Sequence, residues 1–252
     1  MAGGSGAAEQ EARLLELLWR PRDADGRPGI STARIVTAGI ALADAEGADA
    51  VSMRRVAAQL GSAAMSLYTH VPDKAALVAL MSDEVLLGMA VTEPAFGAGW
   101  RERLRLVAGD NRDLLTRHPW LLRLQPSPPP LGPGLLAKYE WELSAFHGLG
   151  LSATERDSCL TLVLQFVRAA TAEAIAARMR AAVREAEGER WSATVGPVLA
   201  RYVDEDEYPL ATRIGAEAGA VAERLGDPDG AHGFGLERVL DGVAALVARS
   251  RT

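Results

Sequence analysis

The chain has 252 residues, of which 48% are hydrophobic and 24% are charged, a composition typical of a soluble globular protein with one or two domains. Its net charge of −6 excludes nucleic-acid binding through bulk basicity, and its one cysteine, Cys159, excludes an intrachain disulfide and a cysteine zinc cluster. No apolar run of about 18 uncharged residues occurs, and the N-terminus lacks the pattern of a signal peptide. We therefore expect a cytoplasmic protein without a membrane span.

The N-terminal segment, residues 1–28, is predicted to be a flexible extension. Its first 12 residues are small and polar, Arg13–Trp19 has the pattern of two helical turns, and a linker rich in Pro, Gly and charge follows. Arg20, Arg22 and Arg27 have the composition of an arm that could lie along a DNA minor groove, but aspartates interrupt them. Both interpretations of these arginines, arm or solvated linker, stay open.

Helical signals dominate from residue 29 onward, so the predicted fold class is all-α. In the first half of the chain, Ser52 and Asp73 are N-cap residues, and Gly47 and Gly61 are helix stops. The helices predicted there run from Ser31 to Glu46, from Ser52 to Leu60, from Ala63 to Thr69 and from Lys74 to Met89.

The second half of the chain predicts longer helices separated by a proline-rich loop. A capping box, Ser152-x-x-Glu155, marks the start of one of them, and the stretch from Gly188 to Asp206 has an irregular, acidic pattern. The helices predicted there are Trp100–His118, Leu135–His147, Ala153–Glu187, Tyr208–Leu225 and Leu236–Ser250.

The most informative segment runs from Val51 to Lys74. Two helices of about eight residues are joined by a short turn at Gly61, and another helix precedes them, which is the pattern of a helix-turn-helix unit. Val56, Ala57 and Leu67 have the spacing needed to bury the inner sides of both helices. A second helix of this kind has the diameter that fits the DNA major groove, about 12 Å wide.

The residues in this segment resemble the DNA-binding domain of the tetracycline-repressor (TetR) family. The resemblance lies in the runs MRRVAAQLG at Met53–Gly61 and LYTHVPDK at Leu67–Lys74. A looser resemblance to the family's C-terminal regulatory domain lies in the HPWL run at His118–Leu121 and the FGLERVLDG run at Phe234–Gly242. The resemblance implies a helix-turn-helix domain at 29–75 and a helical ligand-binding and dimerisation domain at 76–252.

The resemblance also implies which residues lie near DNA. The cationic and aromatic residues of this set suit phosphate contacts. Its serine and threonine can reach base edges, and its alanine and methionine can make apolar contacts only. Arg, Asn and Gln are absent between Ser62 and His70, so we expect recognition to depend partly on DNA shape. The residues expected near DNA are Arg54, Ala64, Met65, Ser66, Tyr68, Thr69, His70 and Lys74.

The C-terminal domain is expected to hold a small-molecule effector and to form a homodimer. Polar and aromatic residues on otherwise apolar helices are candidates for lining the pocket. Gln125 stands where tetracycline repressors have a metal-binding histidine, so we expect no bound metal or other cofactor. The helices Ala153–Glu187 and Leu236–Ser250 are expected to form the dimer interface. The candidate pocket residues are Asn111, Gln125, Trp141, Glu142, Gln165, Phe166, Arg168 and Glu173.

The function predicted is a ligand-responsive repressor that binds palindromic operator DNA, is released by an inducer and controls genes of export or secondary metabolism. Two alternatives remain. An enzyme is disfavoured because the sequence has no G-x-S-x-G, H-E-x-x-H, phosphate-loop or dinucleotide motif. A helical small-molecule-binding protein without DNA binding is the second, since the recognition helix has few base-reading side chains.

Overall fold

The computed structural model describes residues 4–20, 29–89, 91–124, 130–215, 217 and 230–250, and the regular elements of these residues are all helical. This confirms the all-α fold class. Short 3₁₀ helices lie at Ala48–Ala50 and Pro119–Arg123. The α-helices are α1 (Gly4–Trp19), α2 (Thr32–Glu46), α3 (Met53–Gln59), α4 (Ala64–Tyr68), α5 (Lys74–Leu87), α6 (Trp100–Arg117), α7 (Pro133–Ser144), α8 (Ala153–Tyr202) and α9 (Gly230–Arg249).

The starts of α2, α3 and α5 lie where the sequence predicts them, because local capping bonds set them. The side chains of Ser31, Ser52 and Asp73 each accept a hydrogen bond from the backbone N–H three residues further on, at the starts of α2, α3 and α5. Gly47 and Gly61 adopt φ angles of +88° and +64° after α2 and α3, a conformation that favours glycine. These caps fix the lengths of the short helices.

Three predicted boundaries were wrong, and each helix is longer than expected. Helix α9 begins at Gly230, before the predicted Leu236. The N-terminal segment begins a helix at Gly4, because Leu18 is buried and Leu14 and Leu17 pack against the same core. Helix α8 continues to Tyr202 through the region predicted to be irregular after Gly188. The abundance of Ala, Arg and Glu there outweighs the cost of about 1 kcal/mol for a glycine inside a helix.

Other predicted segments lie partly outside the described residues. The linker at 21–28 is one of them, and half of the predicted helix Tyr208–Leu225 is another, although residues 209–215 are helical. The predicted capping box at the start of α8 is present: the Ser152 backbone N–H donates to Glu155 Oε2 at 2.8 Å, and the Glu155 N–H donates to Ser152 Oγ at 3.3 Å.

Buried apolar side chains form two clusters. The first contains residues of α1 to α5 together with Leu114, Leu115, Trp120 and Leu121 from the end of α6 and the 3₁₀ helix after it. The second contains residues of α6, α8 and α9 and the connection after α7. Helix α5 contributes to the first cluster as far as Val85, with Met89 just beyond it. The packing boundary therefore lies later in the chain than the boundary predicted after residue 75.

Helices α5 and α7 meet at a tight polar joint. Asp83 of α5, only 3% exposed, accepts hydrogen bonds through Oδ1 from the backbone N–H groups of Gly134 at 2.9 Å and Leu135 at 3.1 Å. It thereby satisfies donors at the start of α7 that have no partner within their own helix. A Cβ atom at Gly134 would lie 2.0 Å from the Asp83 carbonyl oxygen, so the backbones approach too closely for any side chain there.

Helix α6 is joined to α9 by an ion-pair network at their exposed edges. Arg101 and Arg105 of α6 both bind the Glu237 carboxylate, each with a shortest N–O distance of 2.7 Å, and Arg101 also binds Asp241 at 2.6 Å. The hydrogen bonds from Arg105 and then Arg101 lower the pKa of Glu237 to about 2. This network fixes the start of α6 on the last helix.

The first part of α8, Ala153–Val183, is long and apolar enough to cross a membrane by length and composition, a test that core helices of soluble proteins also pass. Only 28% of its most apolar window is buried within the single chain. Arg168 and Glu173 interrupt this helix, so it contains no uncharged apolar run of the length that the sequence analysis sought.

Substitution Gly134→Ala should destabilise the protein by roughly 1–3 kcal/mol, because the added methyl group forces apart two backbones in contact. The free energy of unfolding, measured by urea denaturation, checks this. Gly109 provides the matched control, since it lies inside α6 with nothing within 4 Å of a built Cβ. Gly109→Ala should be neutral or stabilising by up to about 1 kcal/mol; equal effects of both substitutions would contradict the tight joint.

Candidate functional site

Helices α3 and α4 form a compact pair whose inner sides are buried. Val56, Ala57 and Leu67 are at most 1% exposed. The turn between the helices is closed by a hydrogen bond from the Ser62 N–H to the Ala57 carbonyl oxygen at 2.9 Å. Because Leu67 is the buried residue of the short helix α4, its position determines which side of α4 faces outward.

The outer side of α4 is exposed. Met65 is 75% exposed and Tyr68 is 45% exposed, and Ser66 and Thr69 are exposed beside them. The Thr69 hydroxyl donates to the Ser66 carbonyl oxygen at 2.8 Å, which leaves its oxygen available as an acceptor. The two remaining members of the predicted set on this helix and after it, Ala64 and His70, are partly buried at its edges.

Two cationic side chains flank this surface. Arg54 is exposed near the start of α3, and Lys74 is exposed as the first residue of α5, directly after the Asp73 cap. Within the described part of the chain, neither forms an ion pair. The structure thus brings the eight residues predicted to lie near DNA onto α3, α4 and the start of α5, with at least part of each accessible.

Arg55 differs from its neighbour Arg54. Its guanidinium binds the Glu46 carboxylate of α2 at 2.5 Å and also donates to the Ala50 carbonyl oxygen at 3.4 Å. The hydrogen bond between the two charged groups lowers the pKa of Glu46 and raises that of Arg55. Arg55 therefore ties α3 to α2.

Of the three arginines that could form an arm, Arg20, Arg22 and Arg27, the structure describes Arg20. Arg20 follows the end of α1, next to Trp19, whose Nε1 donates to the Leu131 carbonyl oxygen at 2.8 Å. That carbonyl precedes α7 in the second half of the chain. Arg22 and Arg27 lie outside the described residues, so the possibility of a minor-groove arm remains a prediction for them alone.

In the second half of the chain, three polar side chains form a buried network. Glu142 of α7 is 1% exposed, and its Oε1 accepts from Asn111 Nδ2 of α6 at 2.6 Å and from Lys138 Nζ one turn earlier on α7. Asn111 also donates to the Val107 carbonyl oxygen at 2.9 Å. A paired carboxylate, amide and ammonium among apolar helices can orient a polar ligand.

The two predicted aromatic pocket residues lie on different helices. Trp141 is on α7, next to Glu142 of this network, and Phe166 is on α8. Trp141 packs against both apolar clusters and lines a cavity of about 20 Å³ together with Val107 and Ala145. Phe166 lies 5.5 Å from the ring of His232, and a Cβ at Gly235 would lie 2.6 Å from its ring atoms. Phe166 therefore packs tightly against α9 rather than beside Trp141.

The other predicted pocket residues do not converge with these. Gln165 is exposed, and Glu173, 71% exposed, pairs with Arg180. Arg168 donates to the carbonyl oxygens of Leu121 and Leu122, at 3.1 and 2.7 Å, so it caps the 3₁₀ helix after α6. Gln125 lies outside the described residues. Sequence reasoning placed Gln165, Arg168 and Glu173 on α8 correctly but not the side of the helix that each occupies.

Sequence reasoning also missed residues that the structure makes important. Lys138 is one: its spacing of four residues before Glu142 was a visible signal for an ion pair on one helix face. Asp44 is another, because its Oδ1 accepts from both His118 Nδ1 and Trp120 Nε1 at 2.7 Å, and no local pattern reveals that contact.

Among the described residues, no three His, Cys, Asp or Glu side chains are grouped to hold a metal ion.

The comparison with protein families agrees with this arrangement. Residues 35–81 match the model for bacterial regulatory proteins of the tetR family, and residues 93–247 match the model for the tetracyclin repressor-like C-terminal domain. The chain belongs to the TetR family. Its α3–α4 pair is the helix-turn-helix of a TetR-family transcriptional regulator, and α6 to α9 lie in the regulatory domain.

Curated relatives and solved structures extend the similarity over most of the chain. The chain is 36% identical over 247 residues to the HTH-type transcriptional repressor DrrR1 of Streptomyces coeruleorubidus, covering 95% of this chain and 88% of the relative. An HTH-type transcriptional regulator of Saccharopolyspora erythraea is 31% identical over 51% of this chain and 54% of its own length. ActR of Streptomyces coelicolor in complex with actinorhodin is 26% identical, with a TM-score of 0.68 over 87% of this chain and 99% of that chain.

The buried network generates a stability prediction for this TetR-family regulator. Substitution Glu142→Ala should destabilise it by about 3–5 kcal/mol, because Lys138 would keep a buried charge without its partner. Chemical denaturation of the variant measures the loss. Glu140→Ala on the same helix, where the side chain is exposed, is the control and should stay within about 0.5 kcal/mol of the wild type. A Glu142→Ala variant as stable as the control would refute the network.

Proposed function

We propose that this chain is a homodimeric repressor that binds palindromic operator DNA through α4 and is released when a small-molecule effector binds its regulatory domain. The observation that supports this best is the outward side of α4. Leu67 is buried while Met65 and Tyr68 are exposed, and the cations Arg54 and Lys74 lie on either side. This arrangement matches a recognition helix with flanking phosphate contacts.

The residues divide into two roles in the proposed complex. Arg54, Tyr68, His70 and Lys74 contact phosphates, which orient the protein and make binding depend on salt. The short polar side chains of α4 contact base edges, while Ala64 and Met65 make apolar contacts, for example with a thymine methyl group. With few bidentate donors on α4, sequence preference depends partly on the shape of the duplex.

The homodimer is proposed to form through α8 and α9. Leu162 on α8 is 48% exposed and Phe234 on α9 is 67% exposed, and small residues such as Ala169 lie on the same helices. Large exposed apolar side chains beside small ones suit close packing of two helix pairs. A twofold dimer would present two α4 helices to half-sites about 34–36 Å apart.

The effector site is proposed to lie between α6, α7 and α8, with Asn111 and Glu142 as orienting polar groups and Trp141 as an apolar wall. Crystal structures of ActR contain actinorhodin and (S)-DNPA, so the effector class we propose is a secondary metabolite of that kind. The cavity beside Trp141 is only about 20 Å³, so an effector as large as actinorhodin must separate α6 and α7 as it enters. The protein is proposed to act in the cytoplasm, and its proposed targets are genes of export or secondary metabolism.

The neighbouring arginines of α3 test the DNA-binding surface. Arg54→Ala should weaken binding to the duplex that flanks the protein's own gene roughly a hundredfold, because each subunit of the proposed dimer loses a charge-assisted hydrogen bond to phosphate that contributes about 1.5 kcal/mol. Arg55→Ala is the matched control, since Arg55 is already paired with Glu46. Fluorescence anisotropy of the labelled duplex at fixed salt measures both.

The result separates the proposals. Loss at Arg54 with affinity kept within about threefold at Arg55 supports the α3–α4 surface. Equal losses would mean that only overall charge matters. No binding of the wild type would favour the alternative function, a helical ligand-binding protein that does not bind DNA.

Actinorhodin is the probe for the effector site. At a concentration of 100 times its Kd it should raise the melting temperature by roughly 5–10 °C, because a ligand that binds only the native state stabilises it by about 2.7 kcal/mol. Differential scanning calorimetry measures the shift, and Asn111→Ala should abolish most of it. No shift in the wild type would exclude actinorhodin as an effector and leave the DNA-binding surface unaffected.

A further inference from the structure

Helix α1 contacts both halves of the molecule through consecutive residues. Leu18 is 2% exposed and packs in the apolar cluster built from α2 to α5. Trp19, the next residue, reaches the other half, where its Nε1 donates to the Leu131 carbonyl oxygen at 2.8 Å. Helix α1 also lies outside the residues matched by the helix-turn-helix family model, which begin at residue 35.

The two ends of α1 lie at two different levels of α5. Five of its residues line a groove of about 360 Å³ together with the start of α5 and the residues before it, next to Lys74: Glu9, Gln10, Arg13, Leu14 and Leu17 on α1, and Pro72, Asp73, Ala75 and Ala76 on the other side. Its last residue, Trp19, lies at Leu131, one residue before the glycines that contact Asp83. At 1.5 Å per residue, α1 thus runs alongside α5 from the proposed DNA end to the joint with α7.

The Leu131 end of this contact is rigid. A Cβ at Gly132 would lie 2.2 Å from Asp83 Oδ1, and Gly134 is still closer to the backbone of α5. The chain that follows Leu131 is therefore fixed on α5 and α7 together. A displacement of this joint relative to α2 and α3 must therefore stretch the Trp19–Leu131 hydrogen bond or pull on Leu18 in the apolar cluster.

We propose that α1 is a strap that links the α6–α7 connection at Leu131 to the DNA-binding end of α5, and that Trp19 is the positioning residue of this link. This rests on the proposed function, since it concerns how the duplex-binding surface communicates with the regulatory domain. The strap also accounts for the position of Arg20. The arginine lies at the regulatory end of α1, away from the recognition helix, so the described part of the N-terminal segment acts through packing and not as a charged arm.

Because coupling between two sites is reciprocal, DNA binding must be felt at Leu131 if the strap transmits it. The experiment is hydrogen–deuterium exchange of the full-length protein with and without the duplex that flanks its own gene. In the wild type, saturating duplex should change exchange in peptides covering residues 130–135, which are remote from α4. In Trp19→Phe, which keeps the ring but removes the N–H donor, that change should fall by at least half.

Two controls and a second test variant make the result specific. Trp100→Phe, the same substitution at the start of α6, should keep the wild-type exchange response. Anisotropy should show that Trp19→Phe binds the duplex within about threefold of the wild type, because Trp19 does not contact the proposed DNA surface. Leu18→Ala, which weakens the apolar docking of α1 instead of the hydrogen bond, should reduce the response as Trp19→Phe does.

Failure of the proposed DNA-binding function and failure of the strap give different results. If the wild type does not bind the duplex in the anisotropy measurement, the proposed function is wrong and the strap inference falls with it. If the wild type binds but exchange at residues 130–135 does not change, or if Trp19→Phe responds as strongly as the wild type, the strap is refuted while the proposed DNA-binding function stands.

Discussion

The carboxylate of Asp83 is the contact on which the relation between the two halves depends. It lies on α5, it is buried, and it accepts the N–H groups of Gly134 and Leu135 at the start of α7. The same helix begins at Lys74, beside the proposed DNA surface. Because the glycines leave no space between the backbones, α5 cannot move independently of α7 at this level. A displacement of α7 at this level therefore moves the later part of α5 with it.

A second polar contact joins the halves at the other side of the DNA-binding unit. Asp44 near the end of α2 accepts hydrogen bonds from His118 and Trp120, and Arg168 of α8 caps the 3₁₀ helix that carries Trp120. A helix-turn-helix held at two points by directional hydrogen bonds has a defined orientation relative to its regulatory domain. Such an orientation is what a repressor with two half-sites a fixed distance apart requires.

The sequence predicts well what depends on neighbouring residues. The N-caps at Ser52 and Asp73, the capping box at Ser152 and the buried spacing of the α3–α4 pair are local patterns, and the structure contains them. The length of α1 depends on a distant core, so composition alone suggested disorder. Likewise, the side of α8 that faces inward depends on tertiary packing, so the sequence does not reveal that Arg168 donates to the Leu121 carbonyl oxygen.

The central claim is that the outer side of α4 faces duplex DNA. The most direct test attaches an iron-chelate cleaving reagent to Met65→Cys in a Cys159→Ser background, so that the reagent sits on the most exposed part of α4. With the duplex that flanks the gene, the account predicts strand scission at two positions about one helical turn, roughly 10 bp, or a multiple of it, apart. Scission no greater than that produced by the same reagent on an exposed residue of α6, such as Asp113→Cys, would contradict it.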